Sequence, residues 1–586
     1  MMRARKTKGA ETPAKEGGLG TAVLSDERRS RLEMRSASNN PLAAFPARVR
    51  LHIDTNRRIA AGMRENGIVG KDARELVRIS KSGVIGPGGG RSRSVGSPVE
   101  FRGTTAQVCG IWPWAVGAGA PLIGTPLGGH LTTGEPVCFD PMNWFTRGGF
   151  ITAPILFILG LNGYGKSSLV RRLILGDIAQ GVIPLILADV KPDYRSTVEM
   201  VGGQVIDLGY GHGKLNPLDA GVMAHALAKL EAAELEVEAQ SLRTELRARQ
   251  TNLIAGLVEI IRGQRIADFE DTLISTSLQI LFRPTDKGGR GFTPSNPPIL
   301  DDLAAVIAGG GTELHLDAAA EDAEQYAAAT IPLRRSLRAL TQGNFGAVFN
   351  GQTTTPLDLD SVAICVDVSH IAKSDRKLKA AVMMTSWNSG FGSIEALNML
   401  ADAGLGRQKF FSIVMDELWQ ALGLGDFMVD RVDELTRLQR GVATALYMIS
   451  HTIKDLQSLG SAAAMSKALG FLERARAKIF GALPREEIAR LSSIVPFTAT
   501  ETNEVTSWSA PQALTGEPLK RNAPKPLAAG VGKFLLKVGE DGSPGIPFQL
   551  ELTEVERQAG IHETSKRFDT FGDRDDDDFD DERQAS

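Results

Sequence analysis

Ile155-Leu-Phe-Ile-Leu-Gly-Leu-Asn-Gly-Tyr-Gly-Lys-Ser-Ser168 joins an apolar run to a glycine-rich turn and then to a helix-forming segment. Within it, Gly160-Leu-Asn-Gly-Tyr-Gly-Lys-Ser167 fits the pattern GxxxxGK[ST], and each residue type there has a physical task. Glycines at 160, 163 and 165 let the backbone turn tightly and aim its N–H groups at phosphate oxygens, at the positive end of the following helix. Leu161, Asn162, Tyr164 and Ser168 supply the rest of that cradle. Lys166 is placed to reach the β- and γ-phosphates, and the Ser167 hydroxyl to help hold Mg²⁺. The expected ligands are therefore ATP and Mg²⁺. The motif requires a buried strand before it and a helix after it, here Ile155–Leu159 and Lys166–Ala179.

Outward from the motif, Val182–Ala188 and Gln204–Leu208 read as further buried strands. Strand–helix–strand alternation of this kind predicts a parallel α/β sheet. The character changes over Ala220–Gly263, rich in Ala, Leu, Glu and Arg, which predicts one long helix or a helical pair. Helical patterning returns at Ala318–Leu340, and strand patterns at Val362–Val368, Phe411–Met415 and Ala443–Ser450, with a helix at Arg376–Ser389. The core is thus α/β with an α-helical insertion over residues 220–345, splitting it into 101–219 and 346–555. Phe101–Asp140, rich in Gly, Pro and β-formers, reads as short strands and tight turns, a small β-rich N-terminal region. A strand is expected at Arg48–Ile53, a helix at Asp72–Ile79, a linker at Gly86–Gly96 and a strand at Pro547–Leu552.

The chain has 586 residues, 42% apolar and 23% charged, an ordinary balance for a buried core. Its net charge of −3 is unevenly spread. Residues 1–50 hold eleven Lys/Arg against five acids, and read as a disordered basic arm over 1–45. From Asp569 onward nine acids face only Arg574 and Arg583, an acidic tail expected to be solvated. The body between is near neutral, which argues against a protein that coats nucleic acid electrostatically. Cys109, Cys138 and Cys365 are widely spaced, which excludes a disulfide scaffold and a cysteine-rich zinc site. The apolar stretches are cut by Pro113, Pro121 and Pro154 or are too short for a bilayer, and the basic N-terminus lacks a signal peptide's apolar run. A cytoplasmic location is expected.

Hydrolysis needs more than a phosphate cradle. Phe410-Phe-Ser-Ile-Val-Met-Asp-Glu417 ends a strand on two carboxylates. Asp416 would sit in the Mg²⁺ shell, and Glu417 would orient the attacking water and take its proton. The next strand ends at Ser450 and His451, candidates to sense the γ-phosphate. Arg440, or else Arg437, just before that strand, is a candidate arginine finger for a neighbouring subunit. The bland alternatives are a helix N-cap at the Asp-Glu pair, a strand-end cap at His451 and solvent-exposed helix arginines.

The residues resemble the VirB-four/TraC-type ATPases of conjugative and type IV secretion systems, relatives of the HerA and FtsK motors. The resemblance runs from about Pro121 to Leu552, roughly three quarters of the chain. It is carried by Gly124-Thr-Pro-Leu-Gly-Gly-His130, Thr132-Thr-Gly-Glu-Pro-Val137 and Phe139-Asp-Pro141 before the motif. After it come Ala188-Asp-Val-Lys-Pro-Asp-Tyr194, Gly202-Gly-Gln-Val-Ile206, Leu215-Asn-Pro-Leu-Asp219 and Asp416-Glu-Leu-Trp419. Trp112-Pro-Trp114 and Lys191-Pro-Asp-Tyr194 are similar to the actinobacterial-type variants. The resemblance implies a RecA-like P-loop NTPase core, a homo-hexamer, and partners among secretion-channel components at the inner face of the membrane. DNA is a partner it allows, with no dedicated binding module in the sequence. His451 departs from the family's usual Gln. Residues 46–100 are too few to replace the family's long N-terminal domain, so docking is expected to depend on another polypeptide. Two other readings stand beside this motor: a HerA/FtsK-like DNA translocase or coupling protein, and a nucleotide-gated scaffold without useful turnover.

Overall fold

The computed structural model describes residues 23–37, 41–65, 78–80, 83–85, 120–424, 426–437, 443–454, 462–492, 494–510, 528–539 and 542–562. Two compact units divide the chain, residues 1–113 and 114–586. The expected linker at Gly86–Gly96, the acidic tail, Cys109 and most of the expected helix Asp72–Ile79 lie outside the described residues.

In the first unit, helices Asp26–Ser36 and Pro41–Glu65 pack together, and β1 (Arg78–Ser80) pairs antiparallel with β2 (Gly83–Ile85). Two expectations are corrected here. Residues 26–36 are helical within the stretch expected to be a disordered arm, and Arg48–Ile53 is helix rather than strand. Val49, Leu51 and Ile53 alternate with polar residues, which imitates a strand. The burial instead falls on Ala44, Ala47 and Asp54, the spacing of one helical face. Asp54 closes the pair, accepting from Leu24 N at 2.7 Å, Arg29 at 2.9 Å and Arg58 at 3.0 Å.

The second unit is built on one sheet. In chain order its strands are β3 (Pro126–His130), β4 (Pro136–Cys138), β5 (Ile155–Leu159), β6 (Val182–Asp189), β7 (Gln204–Asp207), β8 (Ile364–Asp367), β9 (Phe410–Met415), β10 (Thr444–Ser450), β11 (Ala477–Phe480), β12 (Lys533–Val538) and β13 (Ile546–Leu550). Their spatial order is β4-β3-β13-β12-β11-β5-β10-β9-β6-β8-β7. From β11 to β7 every neighbouring pair is parallel, and from β11 to β4 every pair is antiparallel. The Gly/Pro-rich segment before the motif supplies β3 and β4, which extend the antiparallel end of this same sheet.

β5 is buried along its whole length because both its faces are covered. Phe157 and Leu159 join the core under helices Glu236–Arg262 and Arg376–Asp402, which includes Leu257 and Trp387. Leu156 and Ile158 point the other way, into a core with Leu169, Leu173 and Ile174 of helix Lys166–Ala179. Strand alternation thus shares β5 between two layers. Between β7 and β8 the chain is helical: Val222–Ala232, Glu236–Arg262, Asp268–Phe282, Leu300–Gly309, Thr312–Asp317, Ala323–Thr341 and Gly343–Phe349. Arg262 holds two of these helices together through paired bonds of 2.6 and 2.7 Å to Glu270. No described helix is long and apolar enough to cross a membrane.

Candidate nucleotide site

Register places the site. Leu159 at the end of β5 lies level with Ser450 of β10 and with Phe480 of β11. Met415 at the end of β9 lies level with Met448. Gly160, Asp416, Glu417 and His451 therefore emerge at one edge of the sheet. The chain passes from β5 to β6 on one side of β5 and from β10 to β11 across to its other side. Such a reversal opens a crevice at the carboxyl ends of the strands.

The glycine-rich turn is anchored on both flanking strands. Gly160 N donates to His451 O at 3.3 Å, and Leu161 N to Ala482 O at 3.0 Å. A Cβ on Gly160 would meet Gly481 Cα at 3.1 Å, so only glycine lets the two backbones approach this closely. Gly165, with φ +95°, takes the left-handed turn into the helix. The loop before β12 closes over the turn through Gly532 N, which donates to Tyr164 O at 3.0 Å. Asn162, Gly163 and Ser168 occupy this turn and the first helical residues, where main-chain N–H groups have no helical acceptor.

Lys166 is buried and donates to Gly160 O at 2.6 Å and Leu161 O at 3.0 Å, folded back onto its own loop. Burial brings its ammonium down to about 8, against the opposing pull of Asp416 and Glu417. Ser167 Oγ donates to Asp193 Oδ2 at 3.2 Å. Arg171, one turn further along the helix, holds Asp193 by its carbonyl at 2.6 Å.

Asp416 is half-buried. Tyr194 Oη donates to its Oδ2 at 2.7 Å and Glu417 N to its Oδ1 at 2.7 Å. Burial, with Glu417 beside it, holds this carboxyl above the usual range. Glu417 has φ +53°, a left-handed conformation uncommon for a residue with a side chain. Its carboxylate accepts from Lys191, from Trp419 Nε1 at 2.5 Å and from His451 Nε2 at 3.0 Å. Burial opposes its charge, but the bonds from His451 and Lys191 outweigh that and bring it down to about 2.

The hydroxyl and carboxylate oxygens of Ser167, Asp193 and Asp416 are the hard donors that suit Mg²⁺ rather than a softer metal. A carboxyl held above its usual range, as Asp416 is, also gains from a cation beside it. The donor set fits the ion.

Lys166, Ser167, Asp416, Glu417 and His451 are therefore brought together. Ser450 ends β10 with its side chain buried. Arg437 ends helix Asp426–Arg437; its side chain and the whole of Arg440 lie outside the described residues. The sequence motifs assign no role to Lys191, Asp193 or Arg171, which the fold brings to the site. The signal available was Asp189-Val-Lys-Pro-Asp-Tyr194, charged groups directly after a buried strand in an α/β pattern.

No protein-family model matches the sequence, and no curated protein matches it. Among solved structures the chain is similar to VirB4 of Thermoanaerobacter pseudethanolicus, at 19% identity over 76% of this chain and 99% of that one, with a TM-score of 0.53. It is also matched to the bacterial conjugative coupling protein TrwBdeltaN70, at 11% identity over 75% of this chain and 96% of that one, with a TM-score of 0.40. A third match is the cytoplasmic domain of the Thermomonospora curvata type VII secretion ATPase EccC, at 12% identity over 73% and 29%, with a TM-score of 0.25. From the glycine-rich turn, the strand order and the likeness to VirB4 together, the fold follows: a RecA-like P-loop NTPase core with a helical insertion.

Proposed function

We propose that this protein is an Mg²⁺-dependent ATPase that drives a conjugative or type IV secretion system. The observation that carries the reading is the convergence of Lys166 and Ser167 with Asp416 and Glu417 at the carboxyl ends of β5 and β9. Bound Mg²⁺ would neutralise charge on the β- and γ-phosphate oxygens, held by Ser167 and Asp416 with Asp193 close by. Lys166 leaves the carbonyls of Gly160 and Leu161 for the phosphates. Glu417 takes the proton of the attacking water, and His451 holds Glu417 in place.

The secretion role is supported by the sequence motifs shared with that class of ATPase and by the fold in common with VirB4. It implies a homo-hexamer, with Arg440 completing the neighbour's site, working with channel components at the inner face of the membrane.

Purified protein tests the chemistry. Lys166→Ala should lose nucleotide binding and turnover together, because the phosphates lose their cation. Glu417→Gln should keep binding and lose about 10²–10⁴-fold in turnover, because an amide cannot take the proton. Wild-type turnover by Glu417→Gln would remove Glu417 from its role.

A further inference from the structure

The carboxylate assigned to activate water is crowded by three donors. Glu417 Oε1 accepts from Lys191 Nζ and from His451 Nε2 at 3.2 Å; Oε2 accepts from Trp419 Nε1 at 2.5 Å and lies 3.0 Å from His451 Nε2. The side chain is only 5% exposed. A proton acceptor must offer a lone pair to the water it activates, and three donors leave at most one of the carboxylate's about four lone-pair sites, on a nearly enclosed side chain. Departure of one donor gives water a place beside Glu417.

The three donors are not equally held. Trp419 sits two residues beyond Glu417 in helix Leu418–Leu422, and His451 directly follows β10 and is 17% exposed. Lys191 is 52% exposed, on the segment after β6, at the end of a flexible four-carbon stem. It can swing without disturbing a strand or helix.

Lys191 also faces the place where phosphate would arrive. Its charge is felt by Lys166, and it feels Asp193 and Asp416 in turn. The same segment reaches Ser167, whose Oγ lies 3.2 Å from Asp193. A γ-phosphate seated on Lys166 and Ser167 brings negative charge and acceptor oxygens into that space. It competes with Glu417 for the Lys191 ammonium.

We propose that Lys191 is a two-position switch: it rests on Glu417 when the γ-phosphate is absent, and moves to the γ-phosphate when ATP binds, opening Glu417 Oε1 to water. The proposal rests on the hydrolysis reading above and adds its control. A base blocked until its substrate is seated cannot be engaged by an empty or ADP-filled site. Loss of the γ-phosphate returns Lys191 to Glu417 and closes the cycle.

Binding separates this from a structural ion pair. Affinities for ADP and for the β,γ-imido analogue of ATP, each with Mg²⁺, are measured by calorimetry on the full chain. Lys191→Met should weaken the analogue about 10-fold, the size of one charge-assisted contact, and leave ADP within about twofold. Lys191→Arg should restore most of the difference. Glu417→Gln removes the competing charge, so it should tighten the analogue several-fold, and that gain should vanish in Lys191→Met/Glu417→Gln. Equal weakening of both nucleotides, no change in either, or a Glu417→Gln gain that persists without Lys191 each overturns the switch. Lys166→Ala is measured alongside. Its loss of both nucleotides upholds the P-loop reading even where the switch fails, whereas a wild-type protein that binds neither nucleotide sinks both.

Discussion

Asp177 lies on the face of helix Lys166–Ala179 that packs on the sheet, and Tyr447 Oη of β10 donates to its two oxygens at 3.0 and 2.8 Å. Burial pushes its carboxyl up to about 7 from an ordinary 3.8, in spite of the Tyr447 bond. The folded chain therefore holds a proton that the unfolded chain releases between about pH 4 and pH 7. Stability from this group falls as pH rises through that window. Asp177→Asn keeps an oxygen for Tyr447 and has nothing to titrate. The melting temperature of the variant minus that of wild type should rise between pH 5 and pH 8, by a few degrees on the order expected for a chain this size. A difference that stays flat with pH would show that Asp177 is ionised throughout. The same residue-scale logic separates Asp416, whose oxygens Tyr194 and Glu417 N already hold, from Glu417, which is held by a mobile cation.

Helix Ala499–Trp508 is secured by one acid. Glu501 accepts from Thr498 N at 2.7 Å in a capping box, from Gly545 N at 2.6 Å, and from Lys537 of β12 at 2.9 and 3.0 Å. Both side chains of the ion pair are almost fully enclosed, at 3% and 7% exposure. Breaking an enclosed pair from one side leaves an uncompensated charge, so Lys537→Met should destabilise by about 3 kcal/mol. Glu501→Gln added to it should recover part of that loss, since the unpaired charge is gone while the capping oxygen remains. Urea unfolding of the two variants and the pair measures the coupling. If the second change adds its full cost instead, the charge was never buried in the sense proposed.

For the whole molecule, the proposed hexamer makes turnover a property of the assembly. In it one subunit would hold the γ-phosphate from the side of Lys166 and Ser167, and a cation from a neighbour would stabilise charge in the transition state by about 10³–10⁵ in rate. Specific activity should then rise with protein concentration. Arg440→Ala should lower turnover while nucleotide binding persists. Arg440→Ala and Glu417→Gln chains, each inactive alone, should regain activity when mixed, because an interface with an intact Glu417 and an intact Arg440 can form. A dead mixture together with concentration-independent activity would remove the shared site and leave the P-loop untouched.

What the sequence determined by itself is local in origin. Ile155–Leu159 and Lys166–Ala179 were legible to the residue because an unbroken apolar run, glycine turns and a helix-forming segment act within a few residues of one another. The Asp416-Glu417 pair was legible for the same reason, standing where a buried strand ends. Arg48–Ile53 misled because period-two alternation is only a local signal, and a neighbouring helix decided which face was buried. β11 escapes the strand pattern because it is four residues long and carries Lys478. That lysine is tolerated inside the sheet because its ammonium reaches Ala475 O at 2.6 Å. Tertiary structure alone decided that Lys191, Trp419 and His451 meet on one carboxylate, since they come from three segments separated by up to 260 residues. Parallel strand pairing sets that meeting: a crossover connection places residues far apart in the chain at the same sheet edge, and no local pattern encodes which strands will be neighbours.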